Sequence, residues 1–530
     1  NGTINATGSL TVTGDIGSPD AFNIFNVKAD NKTISFGGDT NIASFNFNGK
    51  TNSVLSFTGV NKTFVGDITA GAHGAGTLDA SANSVTINGK IGANGASLLA
   101  MTVGGDSATT LTLNGNAYAL STNIDHENST IVFGTDNITL NSNLVIAGDN
   151  YGIINATHDA AIVGNVGTTS GNALQEIRIA SGKTLTLSGG EINIQNLSPV
   201  DETSSLVITG SKNTDVTIAN RVVDGTLTLS GSAVRTINAN FGDANSAFST
   251  FNLGGTGKQT FAAGKGAQYF TTLNFVGAAA SIGQFDGGAT INDEVAFTAA
   301  GQQLIFKGDS TFNNGIDFAG FDDVLTFDSS LNNVTINGSI SDSTGNDVGT
   351  IAITGGANQV TVVDNIGTDA DHRVNAITVA DGSAAQFEGT AYINNLTLTG
   401  TGTAIFDGAV NISGGNITMY DGDLTFNVMA DIDNTKIAKL GAGNINFAKG
   451  YTGSPIYTEI AIIDIGDDSV GNQIITSAGS SITVQDGVTI TGNFDNTSGI
   501  TTGVINAEGD MTLTGDIGDT DAFSLFNVNA

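Results

Sequence analysis

TGDIGSPDAFNIFNVKA occupies residues 13–29, and TGDIGDTDAFSLFNVNA occupies residues 514–530. The pairing extends back to Gly2 and Gly503 at a constant offset of 501, and 18 of the 28 aligned positions are identical. Used as a probe, the first copy gives a pattern: a strand, Gly-x-[Ile/Val]-Gly, a loop of about nine residues, then an apolar-x-apolar strand. TINGKIGANGASLLAMTV (86–103), AIVGNVGTTSGNALQEIRI (161–179), TINGSISDSTGNDVGTIAI (335–353) and VVDNIGTDADHRVNAITV (362–379) repeat it. NANFGDANSAFSTFNL (238–253) is a looser copy. In three copies the apolar bend residue is followed at +11 and +13 by Ile or Val: Val166/Ile177/Ile179, Ile340/Ile351/Ile353 and Ile366/Ile377/Val379. In the first copy Val27 follows Ile16 at +11, with Ala29 at +13.

The leading positions of the copies are 14, 89, 164, 239, 338, 364 and 515, separated by 75, 75, 75, 99, 26 and 151 residues. Each gap lies within one residue of a multiple of 25: three, three, three, four, one and six. A string of 75-residue sandwich domains accounts for the first three gaps only. A solenoid with coils of about 25 residues accounts for all six, because a loop inserted on any coil returns at the same phase of the turn. The sequence therefore predicts an all-β fold, a right-handed parallel β-helix with about 25 residues per coil and about twenty coils per 501-residue repeat. Handedness follows from the preference for right-handed parallel crossovers. At roughly 4.8 Å per coil, twenty coils give a rod on the order of 100 Å. We expect residues 1–502 to form one continuous repeat unit and 503–530 to begin the next, the chain being a section of a longer one.

Composition agrees. Of 530 residues 72 are Gly and only 3 Pro, Cys and Trp are absent, and charged residues make up 13%. With 39% hydrophobic residues and 28 Phe the chain is too apolar for disorder. Phrases such as SLTVTG (9–14), TTLTLNG (109–115), GTLTLSG (225–231) and SSITVQDGVTITG (480–492) alternate apolar and polar residues between Gly/Asn/Asp turns, as strands do. Inward Phe, Ile, Val and Leu are expected to stack, and inward Asn to form side-chain ladders. The recurring bend glycine fits a positive φ or a close approach of neighbouring backbones. A net charge of −33 argues against nucleic acid or an anionic membrane as partner. No run of 18 apolar residues is present, so membrane insertion by this segment is not expected.

These phrases, VTINGKIG (85–92), VGNVGTTSGNALQEIRIASGKTLTLSGG (163–190) and VTINGSI (334–340) above all, resemble the passenger regions of bacterial autotransporters. The likeness is greatest to rickettsial-type outer-membrane surface antigens. The resemblance implies an exported β-helix at the cell surface acting as adhesin, surface layer or fibre, with no catalytic residues shared across the family.

Little in the chain has the spacing of a chemical site. Asp369-Ala-Asp371-His372, Asp125-His126-Glu127, Asp322/Asp323, Asp431/Asp433 and Asp464/Asp467/Asp468 match neither the EF-hand loop nor the nonapeptide calcium repeat. Turn-forming Asp is the preferred account. Asp369, Asp371, Asp467 and Asp468 stand as the candidate metal ligands, with calcium the ion their oxygens would suit and no cofactor otherwise expected. The leading functional reading is a non-enzymatic, extracellular structural protein, part of a giant repeat protein forming a fibre, sheath or surface layer. Its expected partners are further copies, end to end or laterally, and a cell-surface or carbohydrate ligand. The alternatives are a monomeric adhesin passenger and a carbohydrate-active β-helix enzyme, which would need clustered acids with Arg or Lys on one face.

Overall fold

The segments Thr110–Leu113, Thr184–Leu187 and Thr226–Leu229 all read Thr-Leu-Thr-Leu, and each forms a strand with both leucines buried and both threonines half-buried. A strand of this kind buries one side only, because alternate side chains point to opposite faces. It must therefore lay its leucines against other strands. In a computed structural model of the chain every pairing between strands is parallel and joins segments about one coil apart, among the described residues. The residues described are 2–17, 20–167, 172–210, 214–277, 280–345 and 347–440. Beyond them the description covers the strands of 445–496 and residues 504–514, 517 and 523–529. The fold is a β-solenoid of about twenty turns. Its only helix among these residues is the single 3₁₀ turn Ala263–Lys265. None is long and apolar enough to cross a membrane.

Two compact units divide the chain, Asn1–Lys265 and Gly266–Ala530. In the first, one column of stacked strands runs Val85–Asn88, Thr110–Leu113, Thr130–Phe133, Tyr151–Ala156 and Leu174–Ile179. A second column runs Ala160–Val163, Thr184–Leu187, Ser205–Ile208, Thr226–Leu229 and Phe248–Leu253. In the second unit Gln303–Phe306, Val324–Asp328, Thr350–Thr354 and Val374–Val379 stack in one column. Gln359–Val362, Ala384–Phe387, Thr403–Phe406 and Leu424–Phe426 stack in another.

The register places like on like. Phe387, Phe406 and Phe426 are partners in successive coils, with ring centroids 4.6 and 5.3 Å apart and near-parallel planes. Phe25 over Phe45 and Phe285 over Phe306 repeat the arrangement at 5.0 and 5.4 Å. These distances are close to the interstrand spacing of about 4.8 Å, so offset stacking of the rings follows from the backbone ladder. Asparagines pair likewise, but outside the core. Asn26 Nδ2 donates to Asn5 Oδ1 (3.0 Å) and Asn48 Nδ2 to Asn26 Oδ1 (3.2 Å). Asn416, Asn395 and Asn375 form a second ladder on the surface. The expectation of inward Asn is thus corrected. The interior is mostly Phe, Ile, Leu, Val and Ala, and the buried amides among the described residues belong to glutamines such as Gln259, whose Nε2 donates to the Ala233 and Gly257 carbonyls, not to asparagines.

The bend copies do mark one phase of the turn. Ile16, Ile91, Val166, Phe241, Ile340 and Ile366 are all buried, and each makes a parallel bridge to a neighbouring coil. Two copies lie directly on one another: Ile340 bridges Ile366, and Ile351 and Ile353 pair with Ile377 and Val379. Gly17, Gly92, Gly167, Gly242 and Gly367 have φ of 73°, 61°, 66°, 65° and 69°. A Cβ on Gly17 would lie 2.2 Å from the Asn41 carbonyl oxygen, and one on Gly92 2.5 Å from that of Tyr118. Positive φ and close approach therefore act together at the bend. The copy that carries Ser341 in place of this glycine continues as the strand Ile340–Ser341.

Coil length is less uniform than the recurrence of the bend implies. The step from Ile377 to Leu396 is among the shortest between partners, and the step from Ile456 to Thr483 among the longest. Coils that follow a bend loop are long, as from Ile91 to Ala117 and from Val166 to Ile192. The steps from Ala391 to Val410, on to Ala430 and on to Tyr451 are all shorter. Six register steps from Ile366 reach only Asn496, so the longest gap between bend copies holds more than six coils.

The likeness of the two ends has a structural counterpart. Thr3, Ile4, Asn5 and Ala6 pair with Ile24, Phe25, Asn26 and Val27, while Val504, Ile505, Asn506 and Ala507 pair with Leu525, Phe526, Asn527 and Val528. Asn527 Nδ2 donates to Asn506 Oδ1 at 2.8 Å, as Asn26 does to Asn5. Sequence and register thus recur together at the two ends of the chain.

Phe406 sits between two stacked rings with no exposure. Replacing it by Ala is expected to cost about 3–5 kcal/mol, read as a fall in the urea midpoint. Thr397→Ala, on the half-buried outer side of a neighbouring strand, should stay within about 0.5 kcal/mol of the parent.

Candidate functional surface

After the buried bend residue the chain makes a small hairpin. Ala93 and Ala96, Asp243 and Ser246, and Asp369 and His372 form equivalent antiparallel bridges. This hairpin is where the structure places the candidate ligands Asp369 and Asp371. Asp369 Oδ1 accepts from the Asp371 N–H (2.9 Å) and from His372 Nδ1 (2.8 Å). Asp243 does the same work in its copy, accepting from the N–H groups of Asn245 and Ser246 at 2.8 Å each. An Asx-type turn explains both. The His372 hydrogen bond is the largest effect lowering the Asp369 pKa, and the same bond raises that of His372. Asp467 and Asp468 lie outside the described residues. No group of three or more His, Cys, Asp or Glu that could hold a metal ion is found among the described residues.

Other aspartates are used between coils. Asp15 Oδ1 accepts the Asp39 N–H and Asp39 Oδ1 accepts the Thr63 N–H, both at 2.8 Å. Asp136 accepts the Asp159 N–H (3.0 Å), and Asp159 accepts that of Thr184 (2.8 Å). Asp309 with Thr335 and Asp381 with Thr401 add further rungs at 2.8 Å. A turn side chain thus satisfies a backbone donor in the coil above near where its strand begins. Carboxylates make this bond well because the acceptor is charged. The hydrogen bond to the Asp159 backbone, aided by Lys183 at 3.0 Å, lowers the pKa of Asp136, and the Thr401 N–H lowers that of Asp381.

Three ionisable groups are buried among the described residues, Arg235, Asp323 and Asp342, the last with its Oδ1 accepting from the Gly320 and Thr344 N–H groups and the Thr344 hydroxyl. Arg235 is 1% exposed, and its guanidinium donates to Gln259 Oε1 (3.2 Å) and to the Ser230 carbonyl (2.7 Å), with no carboxylate among these partners. Its Nε has no partner, and burial lowers its pKa. Asp323, fully buried, accepts the Gln302 N–H at 2.7 Å through Oδ1, while Oδ2 is unpartnered. Burial, reinforced by the nearby Asp322 charge, pushes its pKa up to about 6. Residue type alone gives no reason to single out Arg235 and makes Asp323 a turn residue. Strand parity finds both: Arg235 shares the inward side with Ile237 and Ala239, and Asp323 with Leu325 and Phe327.

Surface grooves lie along the coils. One of about 450 Å³ follows the Asp159–Thr184 rung, and one of about 320 Å³ the Asp15–Asp39–Thr63 ladder. A third, of about 350 Å³, is lined by His73, Asn94, Ser97, Tyr118, Leu120 and Val163 among others, with no acidic or basic group except the imidazole of His73. The ion pairs among described residues are isolated: Arg178–Glu176 (2.6 Å), Lys183–Asp136 (3.0 Å), Lys307–Asp328 (3.1 Å), Arg221–Asp243 and the His372–Asp369 contact.

Comparison with known proteins agrees with the resemblance read from the sequence. The whole chain is 26% identical, over 555 aligned residues, to Outer membrane protein A of Rickettsia rickettsii, covering 21% of that protein. Over 289 residues, 47% of the chain, it is 28% identical to Outer membrane protein B of Rickettsia japonica, covering 17% of it. The chain therefore spans about a fifth of the length of these curated relatives and is homologous to that part of them. No family model and no solved structure matches it.

The buried and the surface carboxyl groups should respond to pH with opposite signs. Asp323 has a folded pKa above its unfolded value near 3.8, so its contribution to stability is full below pH 4 and is lost as pH rises through about 6. Asp323→Asn should therefore flatten the fall of the urea midpoint between pH 4 and 6; an unchanged slope would count against a buried carboxyl. For the rung aspartates Asp136 and Asp381 the pKa is depressed. Their stability is present above the unfolded pKa and lost as pH falls through the folded one. Circular-dichroism melts should accordingly show Tm dropping below pH 4, less steeply in Asp136→Asn.

Proposed function

We propose that this chain is a non-catalytic, extracellular section of a bacterial cell-surface protein, in which a β-solenoid holds an acidic, Thr/Asn/Asp-covered surface outside the cell for contact with a surface ligand. The observation that carries this reading is likeness along the whole chain to a rickettsial outer membrane protein, together with a fold built from one repeated coil. The arrangement of side chains supports it. The acidic residues serve backbone rungs and turns, and the ion pairs stand singly rather than as the grouped acids and bases a glycoside- or uronate-cleaving site requires.

The recurrence of both sequence and register at the two ends supports a finer proposal. The coils of 2–29 and 503–530 are the same coil of successive giant repeats, and such repeats lengthen a surface fibre or layer. A net charge of −33 keeps an array of this kind soluble and repels anionic surfaces.

The test is mild proteolysis of intact cells followed by blotting with an antibody to an exposed segment such as Asp125–Asn128. We expect a parent band well above the 53.5 kDa of this section, lost before the cells lyse. A band protected until lysis would contradict the surface location, and one near 53.5 kDa the repeat array.

A further inference from the structure

The groove bounded by the first internal bend hairpin differs chemically from the other grooves described. Those along Asp159, along Asp15 and Asp39, and beside Asp293, Glu294 and Asp317 each carry carboxylates. The groove over Tyr118 has none and no Lys or Arg, in a chain of net charge −33. A local irregularity makes it. Tyr118 pairs with Asn141 but Ser121 with Asn143, so the strand Ala117–Ile124 carries one extra residue there. Such a bulge re-aims the side chains around it. Leu120 faces outward, 41% exposed, beside Tyr118, whose register column continues through Asn141 to Val163 at 38%. The hairpin that bridges Ala93 to Ala96 forms one wall and brings Asn94 and Ser97 over this apolar floor.

Ser142 and Asn143 at the groove's edge are engaged, by the Thr122 hydroxyl and the Asn165 N–H, but other polar groups here are unused. Elsewhere surface asparagines pair along the coils, as Asn88 does with Asn114 (2.6 Å) and Asn196 with Asn220 (2.6 Å). In the groove the side chains of Asn94, Ser97, Tyr118 and Asn141 have no hydrogen-bond partner among the described residues. Carboxamide and hydroxyl groups both donate and accept, which is what a sugar hydroxyl requires. A tyrosine ring with flanking aliphatics offers the apolar surface on which the C–H face of a pyranose packs. The volume, about 350 Å³, lies within the ~300–1,000 Å³ of small-ligand sites.

We propose that this groove binds an uncharged oligosaccharide. Tyr118 and Leu120 form the platform, and Asn94, Ser97 and Asn141 supply the hydrogen bonds. A peptide added as a β-strand is disfavoured, because the backbone here is already paired on both sides: Tyr118 N–H donates to the Ile91 carbonyl at 2.8 Å, and Tyr118 is in register with Asn141. An anionic glycan would meet no cationic side chain of Lys or Arg in the groove and would be repelled by the whole chain.

The inference takes the surface location above as its setting, but its test does not depend on it. The purified 530-residue chain is applied to an array of neutral, sialylated and sulfated oligosaccharides. We expect capture on neutral members. Asn94→Ala lies on an exposed hairpin away from the core and should weaken capture about tenfold, the scale of one or two lost hydrogen bonds. Tyr118→Ala should weaken it by more, with both far-UV spectra unchanged. Capture on charged members only, capture of none, or neutral capture that both variants leave intact would each overturn the proposal. A protein exposed on intact cells that fails this array refutes the groove alone.

Discussion

Within each unit the described coils lie one on another in parallel, and the backbone hydrogen bonds between them set a spacing of about 4.8 Å. That ladder fixes which side chains meet. A residue cannot choose its neighbour; it is given the residue one coil earlier at the same position. Core columns are consequently built from like residues, with Phe387, Phe406 and Phe426 stacked at 4.6 and 5.3 Å. The same constraint on the surface pairs Asn5 with Asn26 and Asn375 with Asn395 and Asn416. Where strands begin, turn aspartates carry the stack onward by accepting a backbone N–H from the next coil. Part of the negative charge of the chain is thus employed in holding coils together. A calcium-binding role is not needed to account for these turns.

The ladder constrains the strands and leaves the connections free. Coil length therefore varies, from the short step of Ile377 to Leu396 to the long one of Ile456 to Thr483, while the columns stay in register. Surplus chain is put to use at the bend, where a glycine with positive φ passes close to the neighbouring carbonyl and a small hairpin follows. Bulges at Tyr118–Ser121 and Asn41–Ser44 add local relief to an otherwise regular surface. Chemical individuality along such a surface comes from these departures rather than from the strands, which is why the neutral groove lies at a bulge beside a hairpin.

How far the sequence reveals this follows from the same division. Strand alternation, the phase of the bend and its glycine are legible because backbone geometry demands particular residues at those points. Val166, Ile340 and Ile366 are buried and bridged as their spacing implies. A uniform coil length inferred from the bend copies is too long in places, because copies carrying a loop are the easiest to recognise and have long coils. Parity along the strand places Arg235 and Asp323 inside, but residue type argues against it, and the two signals conflict. Asp369 and Asp371 share one small hairpin, in which the Asp371 N–H is held by Asp369 Oδ1, and the same hairpin recurs with Ala93 and Ala96 at its bridge. The groove at Tyr118 is not legible. It depends on a one-residue bulge whose position only the pairing of adjacent coils discloses.

The register itself can be measured directly, since the chain contains no cysteine. Thr378 and Thr397 are cross-strand partners in one of the shortest coils, with half-buried side chains. Adjacent strands hold such Cα atoms within the roughly 4.4–6.8 Å span a disulfide accepts. Thr378→Cys with Thr397→Cys should therefore oxidise rapidly to an intramolecular disulfide, whereas Thr378→Cys with Thr403→Cys, the pairing a uniform coil length would favour, should not. Rapid closure of the second pair, or of neither, would contradict the coil register on which the whole account stands.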